Sequence, residues 1–271
     1  MKRIIETRKS TLIGLLGGVF VLAVTAIISH QDIAALINLP GLIIVLGGTL
    51  AATLVSRPVH DVMGVFKSLR RLMHDENKGG VDDDIPHLLN IAYWYRAGNI
   101  KEAEQAITQI SDPLLRAGAQ LVIDQEPIHD IVRFLQWRIA SVRTKEQGDA
   151  NILRAMATFA PAFGMLGTLF GLMQMLSSLG HGGLPEMGAT MSFTLTTTLY
   201  GLVLANMIFR PLAMKMDRRV QHQIMGMNFI LEGIMLLHQR RHPMIIKEAL
   251  TMYMSQLQST QHAPIVLAKT A

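Results

Sequence analysis

The chain has 271 residues, of which 50% are hydrophobic and 17% are charged, and its formal net charge at pH 7 is +5. The excess positive charge lies in short basic clusters beside apolar segments, so we exclude nucleic acid as a partner and expect contact with membrane lipid. The absence of cysteine excludes disulfides, thiolate metal sites and cysteine nucleophiles.

Four long stretches without a charged residue follow one another along the chain, at residues 11–29, 33–56, 155–180 and 187–209. A helix rises about 1.5 Å per residue, so about 20 apolar residues cross a hydrocarbon core about 30 Å thick. Each stretch comes close to this length or exceeds it. The sequence therefore predicts an all-α, polytopic membrane protein with four transmembrane helices and a cytoplasmic helical domain.

Lysine and arginine lie on one side of these predicted spans only. Lysine or arginine precedes the first span, follows the second, leads into the third and follows the fourth, whereas the turns at residues 30–32 and 181–186 contain neither. Because positively charged loops stay in the cytoplasm, we expect both termini and the segment between the second and third spans to be cytoplasmic.

The spans divide the chain into four predicted parts. Residues 1–56 hold the N-terminal tail and the first transmembrane hairpin, 57–154 a cytoplasmic helical domain, 155–209 the second transmembrane hairpin, and 210–271 a cytoplasmic C-terminal helix and tail. Proline, glycine and aspartate break the polar parts into short segments without strand-like alternation. These segments predict helices at 85–95, 101–110, 113–123, from 127 onward and at 212–238, with a disordered tail from about residue 258.

Motifs for catalysis or metal binding are missing from the sequence. There is no nucleophile motif, glycine-rich phosphate loop or pair of catalytic carboxylates. The three aspartates at 82–84 fit a solvated helix cap, since three adjacent side chains cannot all reach one ion. His238 and His242 are four residues apart, but Arg240 and Arg241 lie between them and oppose a dication. We expect neither an enzyme nor a metal site.

The four predicted spans contain no Asp, Glu, Lys, Arg or His, so a carboxylate for ion transport would have to come from a partner. Pro161 frees a carbonyl one turn earlier and is expected to kink its helix, and free carbonyls at membrane depth must be buried in protein or line a cavity. Such carbonyls and threonine hydroxyls suit a hard cation.

Small or polar residues share one face on each of the last two spans: Pro161, Gly164, Thr168 and Gly171 on the third, and Thr194, Thr197, Thr198, Gly201 and Ala205 on the fourth.

Helix packing is the competing interpretation of the same residues. Glycines four residues apart let helices approach closely, and a buried threonine often bonds the carbonyl one turn back. On this interpretation four glycines of the last two spans are packing residues, namely Gly164, Gly167, Gly171 and Gly201.

Four segments resemble the MotA/PomA family of flagellar motor stator subunits. LPGLIIVLGGTLAATLVSRP (39–58), APAFGMLGTLFGLMQML (160–176) and TTLYGLVLANMIFRPL (197–212) are similar to that family's second, third and fourth spans, and YRAGNIKEAE (95–104) to its rotor-facing stretch. Two spans before the insert and two after it distinguish the chain from ExbB and TolQ, which have three spans.

The resemblance implies a torque-generating subunit of an ion-driven motor in the bacterial inner membrane. Members of this family form a homopentamer around two single-span helices of a MotB/PomB-type partner, whose membrane aspartate binds the ion. The cytoplasmic inserts push the rotor protein FliG. No cofactor is implied beyond the transported cation.

The resemblance also implies roles for individual residues of the spans. Pro161 and Pro211 match two prolines coupled to conformational change. Thr168 and either Thr197 or Thr198 match hydroxyls of sodium-using members, whereas proton-using relatives tend to have alanine or glycine there. Sodium is therefore the predicted ion, and a proton-driven stator is the alternative.

Charged residues of the insert match the family's rotor contact. Arg96 and Glu104 correspond to the two rotor-facing charges, and Lys101 and Glu102 add charges beside them. The competing interpretation is a solvated helix face with weak surface ion pairs.

Other functions stay open at this point. An ExbB/TolQ-like energiser of a non-flagellar envelope process would use the same kind of ion path. A small-molecule transporter would be expected to show inverted repeats, which the two hairpins do not display. A purely structural scaffold would leave Pro161 and the threonines unexplained.

Overall fold

The computed structural model describes residues 38–74, 81–178 and 184–260, together with residues 14, 17, 18, 20, 24 and 28. The described part is helical and contains no strand, which confirms the all-α class, whereas the predicted count of four transmembrane helices stays a prediction. The first predicted span lies outside the described residues apart from those six positions, and so does the chain after residue 260.

The described helices follow one another with short connections. In chain order they are α1 (Leu39–Ser56), α2 (Val59–His74), α3 (Val81–Arg96), α4 (Ile100–Thr108), α5 (Pro113–Ile123), α6 (Ile128–Ser178), α7 (Leu184–Val203), a π-helical segment (Leu204–Phe209), α8 (Arg210–His238) and α9 (Pro243–Thr260).

Three helices in the described part of the chain are long and apolar enough to cross a membrane: Leu39–Ser56, Ile128–Ser178 and the continuous run Met187–His238. The second, third and fourth predicted spans fall on these helices. A polytopic membrane protein is therefore the class that the described helices define.

The helices outside the predicted spans occur where the sequence predicts them, with three differences, the first of which is that α2 (Val59–His74) was not predicted. α3 begins at Val81, so the aspartates at 82–84 lie inside its first turn and the predicted cap is wrong. α9 was not predicted, because no clear periodic pattern follows residue 242, yet it buries Ile246 and Leu250 completely.

The helices form two compact units, each with its own buried core. We call residues 1–76 and 146–218 the membrane unit, and residues 77–145 and 219–271 the insert unit. α6 and α8 contribute residues to both units.

Alanines alternate with larger apolar side chains in the core of the membrane unit, and such small residues let helices pack closely. α1 begins at a capped turn, because the Asn38 side chain accepts a hydrogen bond of 3.0 Å from the Gly41 N–H. It ends before Pro58, which disfavours helical geometry at Arg57. The buried core comprises Val45, Val65, Ala150, Ile152, Leu153, Met156, Ala157, Ala160, Ala205, Phe209, Ala213 and Met216.

Larger aliphatic side chains fill the core of the insert unit. Asp112 caps α5 by accepting hydrogen bonds from the Leu114 and Leu115 N–H groups at 2.7 and 3.0 Å. Gly98 makes the turn between α3 and α4 with φ +78°, a conformation that favours glycine. The completely or nearly completely buried side chains include Ile91, Ile110, Val122, Ile131, Leu135, Phe229, Ile234, Leu237, Ile246 and Leu250.

Gly118 marks a close approach of α5 to α8. A Cβ placed on it would lie 2.9 Å from Cγ1 of Ile234, whereas one on Gly148 in α6 would meet nothing within 4 Å. We expect Gly148→Ala to stabilise the protein by about 1 kcal/mol through helix propensity. Gly118→Ala should be less stable than that variant by at least about 1 kcal/mol because it overpacks the core. Thermal unfolding of the two purified variants measures the difference, and equal gains would contradict the close approach.

Candidate functional site

The contact between α6 and α7 carries most of the predicted site residues of the spans. A Cβ on Gly201 would lie 2.7 Å from the Ala160 carbonyl oxygen and 3.1 Å from the α-carbon of Pro161. A Cβ on Gly164 would lie 3.0 Å from the carbonyl oxygen of Thr197. The two backbones therefore touch, and any side chain at either glycine would force them apart.

Two further glycines lie along the same contact one and two turns away. A Cβ on Gly167 would lie 2.7 Å from Cβ of Thr197, and one on Gly171 would collide with the hydroxyl of Thr194. The structure thus brings all four predicted packing glycines to one interface, with threonines of α7 facing them.

The three predicted threonines differ in how their hydroxyls are bonded. Thr197 is completely buried and its Oγ1 donates to the Thr194 carbonyl at 2.8 Å. Thr168 is half-buried and its Oγ1 donates to the Met165 carbonyl at 2.6 Å. Oγ1 of Thr198 is buried and has no hydrogen-bond partner among the described residues. An unpaired buried hydroxyl costs about 1–3 kcal/mol in stability.

Pro161 lies at the α6–α7 contact without interrupting its helix. α6 continues from Ile128 to Ser178 through the proline. Because proline has no amide hydrogen, the carbonyl of Ala157 receives no bond from position 161. Ala157 and Ala160 are both buried, so the freed carbonyl lies in the protein interior.

Pro211 lies two residues after the end of the π-helical segment, a feature that the sequence did not predict. The N–H of Arg210 bonds the carbonyl of Ala205, five residues back, where an α-helix would use the fourth. Single π turns are uncommon and occur often at functional sites. The missing amide of Pro211 is the sequence signal for irregular bonding here, but it does not specify a π turn.

Tyr200 connects α1 to α7 and was not among the predicted site residues. Its hydroxyl accepts a hydrogen bond of 2.7 Å from the Asn38 N–H, at the capped start of α1. A Cβ on Gly41 would lie 2.9 Å from Cγ2 of Thr197, so the two helices are also in close contact one turn along. No local pattern could link positions 162 residues apart.

Polar pairs join α6 to its neighbours further along the membrane unit. Oγ of Ser68 in α2 donates to the Asp149 carboxylate at 2.6 Å. Arg154 forms an ion pair with Asp217 of α8.

Partial burial lowers the pKa of the Lys215 ammonium, which follows the fourth predicted span, because desolvation disfavours its charged form.

The predicted rotor-facing residues lie at the α3–α4 turn of the insert unit. Lys101, Glu102 and Glu104 are exposed on α4, and Arg96 is the last residue of α3. Arg96 lines a cleft of about 910 Å³ with Gln239, Arg240, Arg241, His242 and Ile245, whereas the three α4 residues do not line it.

No group of three or more His, Asp or Glu residues in the described part of the chain is arranged to hold a metal ion. His242 instead caps α9, since its Nδ1 accepts the Met244 N–H at 3.2 Å. Together these features define an α-helical polytopic membrane protein with a tightly packed, polar helix pair.

Comparisons with known proteins agree with this class. The sequence profile of the MotA/TolQ/ExbB proton channel family matches residues 106–229. Motility protein A of Aquifex aeolicus is 30% identical over 241 residues, covering 88% of this chain and 93% of that protein. Chemotaxis protein PomA of Vibrio alginolyticus is 27% identical, covering 91% of this chain and 95% of that protein.

A solved structure of the flagellar MotAB stator complex from Bacillus subtilis has the same fold. It matches with a TM-score of 0.81 and 24% identity, covering 94% of this chain and all of the matched one. The chain belongs to the MotA/TolQ/ExbB family. The two relatives named above are a motility protein and a chemotaxis protein. This is a family of motility and ion-channel proteins and not of enzymes.

The Tyr200 hydrogen bond can be tested by Tyr200→Phe. The variant leaves the Asn38 N–H without its partner, and we expect a loss of about 1–2 kcal/mol in stability. Tyr93→Phe is the matched control, because Tyr93 is 58% exposed. Thermal unfolding of the purified protein measures both, and equal melting temperatures would argue against a stabilising role for the bond.

Proposed function

We propose that the chain is a stator subunit of the bacterial flagellar motor, in which cation influx drives rotation. The observation that carries this proposal is its similarity to Motility protein A of Aquifex aeolicus over 88% of its own length. The match to the MotAB stator fold supports it.

The proposed assembly has five copies of this chain around two single-span helices of a MotB/PomB-type partner. Two observations support a partner of this kind: the similar solved structures are MotAB complexes, and residues 155–180 and 187–209 contain no carboxylate of their own. The partner would then supply the ion-binding aspartate. The basic residues beside the predicted spans favour an inner-membrane location with both termini in the cytoplasm.

The proposed role of the insert is contact with the rotor protein FliG. Arg96 and Glu104, with Lys101 and Glu102 beside them, are exposed charges at one turn of the insert unit. Exposed charges of both signs suit a contact that forms and breaks rapidly, since such groups affect association rates more than affinity.

Sodium is the proposed ion. The unpaired hydroxyl of Thr198 supports this choice, as do Thr168 and Thr197, whose oxygens keep lone pairs after donating to carbonyls. A hard cation prefers such oxygen ligands. The proton is the second candidate, because the matched family profile is that of a proton channel family.

The proposal is tested with this chain and its partner as the only stator of a motile cell. Single-motor rotation is measured across sodium concentrations at fixed pH and membrane potential. Rotation that rises with sodium and stops without it supports a sodium-driven stator. Rotation that ignores sodium but stops with a protonophore makes the stator proton-driven, and no rotation under either gradient favours an ExbB/TolQ-like energiser.

Thr198→Val tests the hydroxyl as an ion ligand. We expect the sodium concentration for half-maximal speed to rise about tenfold, the effect of losing about 1.4 kcal/mol of binding. We also expect the variant to be more stable, because it removes an unpaired buried hydroxyl. Thr196→Val is the matched control, since Thr196 is buried on the same helix and bonds the Ser192 carbonyl at 2.7 Å. An unchanged sodium dependence in Thr198→Val would remove this hydroxyl from the ion path.

Pro161→Ala tests the proline as a coupling residue. The variant restores an N–H that can bond the Ala157 carbonyl, so we expect a more regular α6 that assembles normally and generates no torque. Stator assembly is followed by fluorescence at the motor, and torque by rotation of an attached bead. Pro127→Ala, just before α6, is the control and should rotate normally. Normal torque in Pro161→Ala would exclude the coupling role.

A further inference from the structure

The α6–α7 pair of the membrane unit leaves one long face uncovered. Exposed residues recur at intervals of about one or two helical turns, including Arg154, Thr158 and Ala162 on α6, and Leu195, Leu202 and Asn206 on α7 and the π-helical segment. At about 100° per residue, each stripe is turned about a third of a turn from the glycine at the contact, Gly164 or Gly201, in the same rotational sense. Because the two helices run antiparallel, equal turns place both stripes on the same side of the pair.

This uncovered face is polar at one end only. Every exposed residue between Ala162 and Met173 on α6 is apolar, and so are the exposed residues of α7 between Met191 and Leu202. The polar end is the one predicted to be cytoplasmic, where Thr158 of α6 and Asn206 of the π-helical segment are both exposed.

The predicted ion-path residues lie along the edge of the same face. Pro161, Thr168 and Thr198 are half-buried, and on the helical wheel they fall between the contact and the exposed stripes. A cation that leaves these oxygens towards the cytoplasm along this edge therefore passes the polar end of the face.

Two arginines lie at the polar end, and their partners differ. Arg154 pairs with the Asp217 carboxylate, and its Nη1 donates to Oδ1 of Asn151 at 2.5 Å. Arg210 has no carboxylate within ion-pair distance among the described residues; its Nη1 donates to the neutral Oδ1 of Asn206 at 3.0 Å. Asp217 is therefore the counter-charge that the described chain provides at this end.

The sign of these charges matters for a leaving cation. A guanidinium group repels a cation that passes within the screening length of about 8 Å, and an adjacent carboxylate cancels most of that repulsion. Side-chain exposures of 52% for Arg154 and 29% for Asp217 leave both groups in contact with water, so the carboxylate remains accessible to an ion.

We propose that Asp217 lowers the barrier for a cation that leaves the ion path, because it neutralises Arg154 and offers the ion a carboxylate at the cytoplasmic end. This inference rests on the proposed stator function and assigns an exit to the same path. It concerns the rate of ion release and leaves the energy that each ion supplies unchanged, since that energy depends on the gradient and the membrane potential.

Charge variants of the pair distinguish this role from a structural link between α6 and α8. Asp217→Asn, Arg154→Gln, the double variant and Asp217→Glu are compared with the unchanged protein. Asp61→Asn is the matched control, because it removes the same charge from the membrane unit, and the ion pair of Asp61 is with His60 of its own helix. Single-motor speed at low load and torque near stall are measured with each variant and the partner as the only stator.

Speed at low load follows the rate of ion passage, whereas torque near stall follows the energy per ion. We expect Asp217→Asn to reduce the low-load speed at least about threefold with an unchanged stall torque, because Arg154 is then uncompensated. Arg154→Gln and Asp217→Glu should keep the speed, and the double variant should restore it.

A structural link predicts a different pattern, in which Asp217→Asn and Arg154→Gln impair rotation equally and the double variant restores nothing. That pattern, an unchanged low-load speed in Asp217→Asn, or an equal loss in Asp61→Asn would overturn the exit role. If the unchanged protein drives no rotation under any cation gradient, the stator function itself fails and the exit proposal with it.

Discussion

The backbone contact between α6 and α7 is the constraint on which the rest of the membrane unit depends. Glycine at positions 164 and 201 lets the two backbones approach until a single added carbon would meet a carbonyl oxygen. Dispersion between close backbones drives helix association where lipid removes the hydrophobic effect. This approach places Pro161 against α7, and it leaves the Thr198 hydroxyl buried without a hydrogen-bond partner from any described residue.

The positions of the long helices could be predicted from the sequence because they depend on local information. Charge-free runs of about 20 residues, proline and aspartate at helix starts, and glycine at turns specify helices residue by residue. α5 shows this clearly, since Asp112 and Pro113 set its first turn. α9 lacked such signals. Its burial depends on the packing of Ile246 and Leu250 into the core of the insert unit, and such tertiary contacts leave no local pattern in the sequence.

The site could be predicted only in part, for the same reason. The glycines of both helices and the threonines of α7 were found by their helical spacing, and the structure gathers them at one interface. The Tyr200 bond to Asn38 and the cleft that joins Arg96 to Arg240 depend on residues 162 and 144 positions apart in the chain. The π turn before Pro211 was not predicted. A proline removes one backbone hydrogen bond, but it does not determine which carbonyls the neighbouring N–H groups bond.

The chemistry of the α6–α7 pair also determines what the proposed function requires from a partner. Hydroxyl and carbonyl oxygens can replace part of the hydration shell of a cation, but they carry no net charge to offset its transfer into a low-dielectric interior. An uncompensated ion there is strongly disfavoured, and the predicted spans provide no carboxylate. On the stator proposal, therefore, the ion can enter only when a partner helix presents its aspartate to these oxygens. Movement of the ring relative to that aspartate then changes how well the ion is held, and this dependence is what would couple ion flow to rotation.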